Sequence, residues 1–343
     1  MELFADALKD YGLFLAKALT LVLAAGLLIL FAVRARRSLV QPEGERLEIL
    51  DLNARYEDLA RAVKESSLPK KAYRAWLKAE RKREKARAKA RAATDGRRRL
   101  FVMDFNGDIR ASEVAALRML VTTVLLDHRE GDAVLVRLEN AGGTVAEHGL
   151  AASQLARLRA RGVHLTVAVD KVAASGGYLM ASVADRIVAA PFAILGSIGV
   201  LAELPNFHRL LERNGVDFEL HTAGEHRRTL TLFGENTHAA RQKLKEQLEE
   251  THALFKGFVT EVRPNLDLAR VATGEYWHGQ RALELGLVDA LQTSDDLLLE
   301  RSETMDLWQL KYSARKKPLE RLLSSIQGLA GGRVSPLSGP WPR

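Results

Sequence analysis

The order of apolar and polar positions divides the chain into three parts. Residues 13–33 are apolar apart from Lys17 and Thr20, and residues 34–98 are rich in charged side chains. From residue 99 onward, short β-branched runs alternate with longer stretches in which apolar residues recur every three or four positions. This alternation is typical of strands that take turns with amphipathic helices. The pattern therefore predicts an apolar amino-terminal segment, a charged helical linker and a globular α/β body.

The apolar segment 13–33 has the length of a transmembrane helix, because about 20 apolar residues cross the hydrocarbon core of a bilayer. Residues 1–12 are acidic and no small-residue cleavage site follows the apolar run, which argues against a cleaved signal peptide. We therefore expect a single-pass anchor with the lipid bilayer as a partner. Arginines directly after the span favour a cytoplasmic body, but this rule weakens for large domains, so the side of the membrane stays open.

The linker, residues 34–98, predicts helices rich in charge. Apolar residues at positions 49, 52, 56, 59 and 63 form one stripe suited to pairing with a second copy. Residues 70–99 hold 14 lysines and arginines against 3 acidic residues, so the formal charge of +8 comes from this segment and the body is slightly acidic. Because aromatic residues are not interleaved with the charge, we expect no nucleic-acid partner. A solvated spacer is expected, with contact to anionic lipid headgroups as the alternative.

The body predicts an α/β domain over residues 99–300 with a largely parallel sheet. Its predicted strands are Leu100–Phe105, Ala133–Leu138, Val163–Val169, Arg186–Ala190 and Phe218–Thr222. Its predicted helices cover residues 112–127, 147–161, 179–183, 207–214, 237–263 and 279–285. The tail, residues 301–343, predicts a strand at Leu307–Tyr312 and an amphipathic helix whose apolar face spans residues 319–329.

One stretch of the body, Asp170–Tyr178, has the pattern of a nucleophile turn. A β-branched strand precedes it and a short helix follows, so Ser175 is placed at a sharp turn from strand to helix. Gly176 and Gly177 leave the approach to the hydroxyl clear of side chains, as is usual for a nucleophilic serine. The alternative is that Ser175 is only a helix N-cap, a position that serine favours for ordinary reasons.

A second glycine pair, Gly142 and Gly143, follows the strand at 133–138. Backbone N–H groups there, together with the N–H of Gly176, could form an oxyanion hole. The alternative is an ordinary turn. The chain has no cysteine, which excludes disulfides, cysteine-ligated metals and a thiol nucleophile. We predict that the site uses neither a cofactor nor a metal.

Four motifs in order resemble the signal peptide peptidase family (S49) of serine proteases: Asn140–Gly143, Ala174–Tyr178, Gly196–Val200 and Trp277–Asp289. The resemblance covers essentially the whole chain. It implies a ClpP/crotonase-like domain behind a transmembrane helix, in the bacterial inner membrane. It also implies a homo-oligomeric, ring-like endopeptidase that hydrolyses peptides or membrane-protein fragments with a Ser/Lys dyad, in which an adjacent subunit can supply the lysine. Ser175 would be the nucleophile, and Gly143 with Gly176 would supply oxyanion donors.

Two positions depart from the family's pattern. The oxyanion loop usually reads Ser-Pro-Gly-Gly in the family, whereas this chain has Asn140–Gly143 without the φ-fixing proline. Arg227 occupies the position of the family's base lysine. Lowering an arginine pKa from above about 12 to neutrality would take at least ~5 units, or about 7 kcal/mol, so Arg227 is a poor base.

The proton acceptor for Ser175 therefore stays open at the level of sequence. Lys171, four residues before the serine, is a weak alternative base, and His221 and His226 offer imidazoles near neutral pKa. A second hypothesis follows from Arg227: a catalytically impaired pseudoprotease that acts as an oligomeric scaffold and binds peptides without cutting them. A crotonase-type acyl-CoA enzyme shares the oxyanion geometry, but the serine and the anchor argue against it.

Overall fold

The computed structural model describes residues 46–93, 97–223 and 230–313, together with five helical positions near the amino end, Lys17, Leu19, Thr20, Leu23 and Gly26. Residues 47–313 form one compact unit. The predicted helix at 319–329 lies outside the described residues, and so does the predicted anchor 13–33 except for those five positions. No helix that the described residues form is both long enough and apolar enough to span a membrane.

Ten strands in the described part of the chain form one sheet, which confirms the predicted α/β fold with a largely parallel sheet. The strands are β1 Arg46–Asp51, β2 Arg99–Gly107, β3 Ala133–Asn140, β4 His164–Val169, β5 Val172–Ala174, β6 Arg186–Ala189, β7 Ile194–Gly196, β8 Tyr276–His278, β9 Ala290–Leu291 and β10 Asp306–Ser313. The main path runs β1-β10-β2-β3-β4-β6-β9, and β5, β7 and β8 extend from β3. The pairs from β10 to β9 and those of β5 are parallel, whereas β8 is antiparallel to β7.

The helices of the described residues alternate with these strands. They are α1 Leu52–Ser67, α2 Lys70–Ala93, α3 Val114–Asp127, α4 Val145–Ala160, α5 Gly176–Ser182, α6 His208–Arg213, α7 His238–Val262, α8 Leu268–Val271, α9 Gly279–Glu284 and α10 Ser294–Ser302. Of the helices in the body whose bounds were predicted, all but α5 begin and end within two residues of those bounds. Helix α5 begins at Gly176 and not at the predicted residue 179, and α8 and α10 were not predicted.

Alternate side chains of the central strands build a hydrophobic core on each face of the sheet, as the two-residue period of a strand requires. Met103 and Phe105 of β2 are buried on the face that α3, α4 and α5 cover. Leu100 and Val102 of the same strand are buried on the opposite face, where they cluster with Leu52 of α1. The central strands are thus buried on both faces, which explains their nearly continuous apolar sequence.

Two sequence expectations are wrong in detail. Phe218–Thr222 is not a strand, and its residues are exposed in a loop where Phe218 packs against Phe233 at a ring distance of 5.7 Å. The predicted helical stripe is divided, because Ile49 lies in strand β1 and the helix starts only at Leu52. The Asp51 side chain sets that start by accepting a hydrogen bond from the Ala54 N–H at 3.0 Å.

Candidate active site

The serine turn, Ala174–Gly176, joins β5 to α5. Ser175 has φ 52° and ψ −119°, a conformation that residues other than glycine rarely adopt. Its N–H donates to the Gly196 carbonyl at 2.8 Å, and its carbonyl accepts from the Leu179 N–H at 3.0 Å. Although Ser175 stands at the N-cap of α5, its side chain makes no capping hydrogen bond. Helix capping therefore does not explain why a serine occupies this turn.

Three parallel strands bring the site together at their carboxyl ends. β5 lies between β3 and β7, with Ala173 opposite Asn140 and Ala174 opposite Gly196. Because the strands are parallel, the loops that follow them leave the sheet at one edge, the edge where ligands bind in open α/β sheets. The glycine loop, Asn140–Gly143, therefore meets the serine turn.

The glycine loop is packed directly against the serine turn. A Cβ on Gly142 would lie 2.7 Å from the Ser175 Cβ and 3.1 Å from the Gly176 nitrogen, so only glycine fits there. The Gly142 N–H donates to Asn140 Oδ1 at 2.6 Å. Because this N–H already has an acceptor, it is not available as one of the predicted oxyanion donors. The N–H groups of Gly143 and Gly176 have no acceptor among the described residues. These two donors are therefore available to a developing oxyanion.

Gly143 is required by a close backbone approach on its other side. A Cβ at this position would lie 2.0 Å from the Ile109 carbonyl oxygen. The same carbonyl accepts a hydrogen bond from the Thr144 N–H at 2.9 Å. The glycine loop is thus held between the serine turn and the segment that follows β2.

A cleft of about 1130 Å³ opens at Ser175. Its lining includes Gly142, Gly143 and Gly176 and the apolar side chains Leu179, Val200, Leu201, Leu254, Phe255 and Phe258. Binding sites are commonly concave, mostly apolar, and equipped with a few converging polar groups. The cleft thus has the character of a site for apolar side chains next to the serine.

The lining also holds polar residues that were not predicted as site residues, among them Ser197 and His252. Ser197 follows β7 with φ 51°, and its N–H donates to the Glu275 carbonyl at 2.6 Å. His252 lies on α7, and its Nε2 is buried without a hydrogen-bond partner among the described residues. The glycines around Ser197 signalled a tight loop, whereas no sequence signal connects α7 with the serine turn, because the contact is purely tertiary.

None of the predicted proton acceptors is found in the described lining. The Lys171 Nζ lies 2.9 Å and 3.1 Å from the two carboxylate oxygens of Glu139, and Lys171 does not line the cleft. His221 is exposed and faces a neighbouring glutamate. Arg227 and His226 lie outside the described residues. The described part of the lining therefore holds neither lysine nor arginine.

Two groups in the scaffold around the site have shifted pKa values. Burial raises the pKa of the Glu113 carboxyl, although Glu113 Oε2 accepts a hydrogen bond from the Asn106 N–H at 3.0 Å. Burial also raises the pKa of the Tyr178 hydroxyl, which donates to the Leu287 carbonyl at 2.9 Å. Among the described residues there is no group of side chains suited to hold a metal ion.

Two family profiles match the sequence. The profile described as Peptidase family S49 N-terminal matches residues 6–155, and the profile described as Peptidase family S49 matches residues 157–307. The chain is 45% identical over 325 residues to a probable protease SohB of Haemophilus influenzae, and the match covers 92% of each chain. It is 53% identical over 232 residues to a probable protease SohB of Buchnera aphidicola subsp. Acyrthosiphon pisum, and that match covers 68% of this chain and 69% of the other protein.

The solved structures that resemble the chain do so distantly. The 1510-N membrane protease specific for a stomatin homolog, from Pyrococcus horikoshii, has a TM-score of 0.35 and 14% identity, covering 68% of this chain and 100% of that chain. An enoyl-CoA hydratase/isomerase from Marinobacter aquaeolei has a TM-score of 0.34 and 14% identity, covering 64% and 70%. At these TM-scores the likeness says nothing about the site.

Proposed function

Because the chain belongs to peptidase family S49, we propose that it is a membrane-anchored serine endopeptidase with Ser175 as its nucleophile. Its substrates would be peptides or membrane-protein fragments, and residues 13–33 would anchor it in the bacterial inner membrane. The observation that carries the proposal is the strained serine turn beside the N–H groups of Gly143 and Gly176, which have no acceptor in the described part of the chain.

The proposed chemistry is acyl transfer in two steps. The Ser175 oxygen attacks the scissile carbonyl while its proton passes to a base, and the amide nitrogen leaves as an amine that takes up a proton. The negative charge on the carbonyl oxygen develops where the N–H groups of Gly143 and Gly176 can donate to it. Removing one such donor costs about 10²–10³ in kcat in other enzymes. Water then hydrolyses the acyl-enzyme and releases the second product.

The proton acceptor is the part of this proposal that the family pattern does not supply, because Arg227 replaces the base lysine. Two histidines line the described cleft, and both ring nitrogens of His148 lie within hydrogen-bond distance of oxygen atoms. His252 has a buried Nε2 that no described group engages. His252 is therefore the imidazole of the described lining best suited to the role, and a neighbouring subunit of a homo-oligomer is a further source of a base.

The second candidate function is a pseudoprotease, and Arg227 is the observation that favours it. Under this alternative the cleft still binds apolar peptides and the oligomer acts as a scaffold. The described lining holds no lysine, which is consistent with either function.

Peptide turnover by the full-length protein in detergent or liposomes distinguishes the two functions. The endopeptidase proposal expects cleavage of an unstructured protein such as casein, and loss of that cleavage in Ser175→Ala. The scaffold alternative expects peptide binding without cleavage, no effect of Ser175→Ala, and cleavage that appears only in Arg227→Lys. That second outcome would reject the endopeptidase proposal.

A further inference from the structure

We propose that His148 is a positioning residue of the oxyanion site. In this proposal His148 holds the Asn140 side chain, and Asn140 holds the Gly142 peptide so that the Gly143 N–H keeps its orientation toward the serine turn. The inference rests on the proposed function, because an oxyanion site matters only if acyl transfer takes place.

His148 is completely buried on α4, and both of its ring nitrogens meet oxygen atoms. Nδ1 lies 2.9 Å from the Thr144 carbonyl oxygen, and Nε2 lies 3.1 Å from Asn140 Oδ1. A carbonyl oxygen can only accept a hydrogen bond, so Nδ1 is a donor. The ring is therefore fixed between the first turn of its own helix and the glycine loop.

The Gly142 N–H fixes which way the Asn140 amide points. An N–H group can only donate, so the Asn140 atom that lies 2.6 Å from it must be the oxygen. The same oxygen lies 3.1 Å from His148 Nε2, and the ring donates through both of its nitrogens only when both carry a proton. Asn140 Nδ2 is left buried without a partner among the described residues. An unpaired buried amide N–H₂ is unfavourable, so the Gly142 N–H, joined by His148 Nε2 when that nitrogen carries a proton, is what holds this orientation in place.

The imidazole of His148 also contacts the other half of the oxyanion site. A Cβ on Gly176 would lie 2.5 Å from His148 Cγ, so the ring packs directly on the Gly176 backbone. One side chain thereby touches Gly176 and, through Asn140, controls the loop that carries Gly143. The position of the His148 ring therefore affects both N–H donors, that of Gly143 and that of Gly176.

The glycine loop is closed by the hydrogen bond from the Gly142 N–H to Asn140 Oδ1, because no ring restricts φ at Ala141. In the proposal His148 keeps the Asn140 side chain from turning away.

The rate at which a fluorophosphonate probe labels Ser175 in the full-length protein tests the proposal. Asn140→Leu and His148→Leu remove the hydrogen bond at similar side-chain size, and we expect each to slow labelling by roughly 10- to 100-fold with unchanged probe affinity. The double variant should be slowed by less than the product of the two single effects, because both changes break the contact between His148 and Asn140. Asn140→Asp keeps the acceptor oxygens, so we expect it to be labelled faster than Asn140→Leu. His128→Leu, which lies outside the cleft, is the matched control and should label at the parent rate.

Amide hydrogen exchange over residues 140–146 makes the test independent of activity. Faster exchange in Asn140→Leu and His148→Leu, but not in Asn140→Asp, supports the positioning role even if the probe labels none of these proteins. Absence of labelling in every protein would reject the proposed function and leave the positioning role intact. If His148→Leu does not fold, Asn140→Leu decides the question, because it leaves the imidazole in place. Parent-like exchange in Asn140→Leu, or labelling losses that add in the double variant, would overturn the positioning role.

Discussion

Ser175 adopts a backbone conformation that suits glycine, yet a serine occupies the position. A strained conformation of this kind costs about 1–3 kcal/mol and is retained where the hydroxyl has a use. The side chain does not cap the helix and lines the cleft, which supports the proposed role of Ser175. The strain of the turn can itself be measured.

Replacing Ser175 by glycine should relieve this strain, whereas alanine should keep it. We expect Ser175→Gly to be about 1 kcal/mol more stable toward unfolding than Ser175→Ala, because glycine adopts φ near +52° without a steric penalty. Thermal unfolding of both variants measures the difference. Ser153→Gly, inside helix α4, is the control and should be destabilised by about 1 kcal/mol or less. Equal stability of Ser175→Gly and Ser175→Ala would show that the turn is not strained.

The sequence revealed the residues of the site that belong to local patterns and missed those that do not. Ser175 and the glycine pairs follow strands, and turns from strand to helix have a recognisable composition. His148 and His252 lie on helices whose only sequence signal is amphipathic spacing. Their roles depend on which helix face meets the glycine loop or the cleft, and only the folded structure determines that.

Helix α5 is fixed at its first turn by a buried hydroxyl. The Tyr178 hydroxyl donates to the Leu287 carbonyl across 109 residues of sequence. Tyr178→Phe leaves that carbonyl buried without its donor, so we expect the free energy of unfolding to fall by about 1–2 kcal/mol. Urea denaturation measures this change. Tyr73→Phe on α2 is the control, because its hydroxyl makes no hydrogen bond among the described residues, and an equal loss in both variants would contradict the assignment.

The segment between β2 and α3 contains a carboxyl group whose protonation affects stability. Burial raises the folded-state pKa of Glu113, so the folded state holds this proton more tightly than the unfolded state does. The contribution of Glu113 is therefore fully present below its unfolded-state pKa and is lost as the pH rises through the folded-state pKa. We expect Glu113→Gln to be more stable than the parent at pH 7 and equal to it below about pH 4. Melting temperatures across pH 3–8 measure the difference, and a parent that is more stable at pH 7 would contradict it.

The central strands were predictable because each is buried on both faces and reads as a continuous apolar run. The sequence predictions fail where strand pairing determines the secondary structure. Phe218–Thr222 has strand composition but finds no neighbouring strand, whereas β8, Tyr276–His278, pairs with β7 despite a weak local pattern. Ile49 continues a helical stripe in sequence, but it lies in β1 because this segment pairs with strand β10. Local patterns cannot contain these tertiary contacts.

At the scale of the whole molecule, the proposed anchor determines where the peptidase unit works. Full-length protein should remain in the membrane fraction after an alkaline carbonate wash, because about 20 apolar residues insert with a large favourable free energy. A chain that starts at residue 46 should be released by the same wash, or by salt if the basic helix α2 contacts anionic lipid. Immunoblots of the two fractions measure this. Release of the full-length chain would contradict the anchor.

The positive charge and the cleft lie in different parts of the chain. The excess of positive charge is confined to residues 70–99, away from the cleft, and the described lining is largely apolar. The compact unit, residues 47–313, carries both the basic helix α2 and the serine turn.

The most direct test of the central claim is covalent labelling of the full-length protein with a fluorophosphonate probe, followed by peptide mass spectrometry. If Ser175 is a nucleophile facing two N–H donors, the probe should modify Ser175, and Ser175→Ala should remove the modification. If the parent protein shows no modification while Arg227→Lys is modified at Ser175, the native site lacks a working base and the account of an active peptidase is wrong.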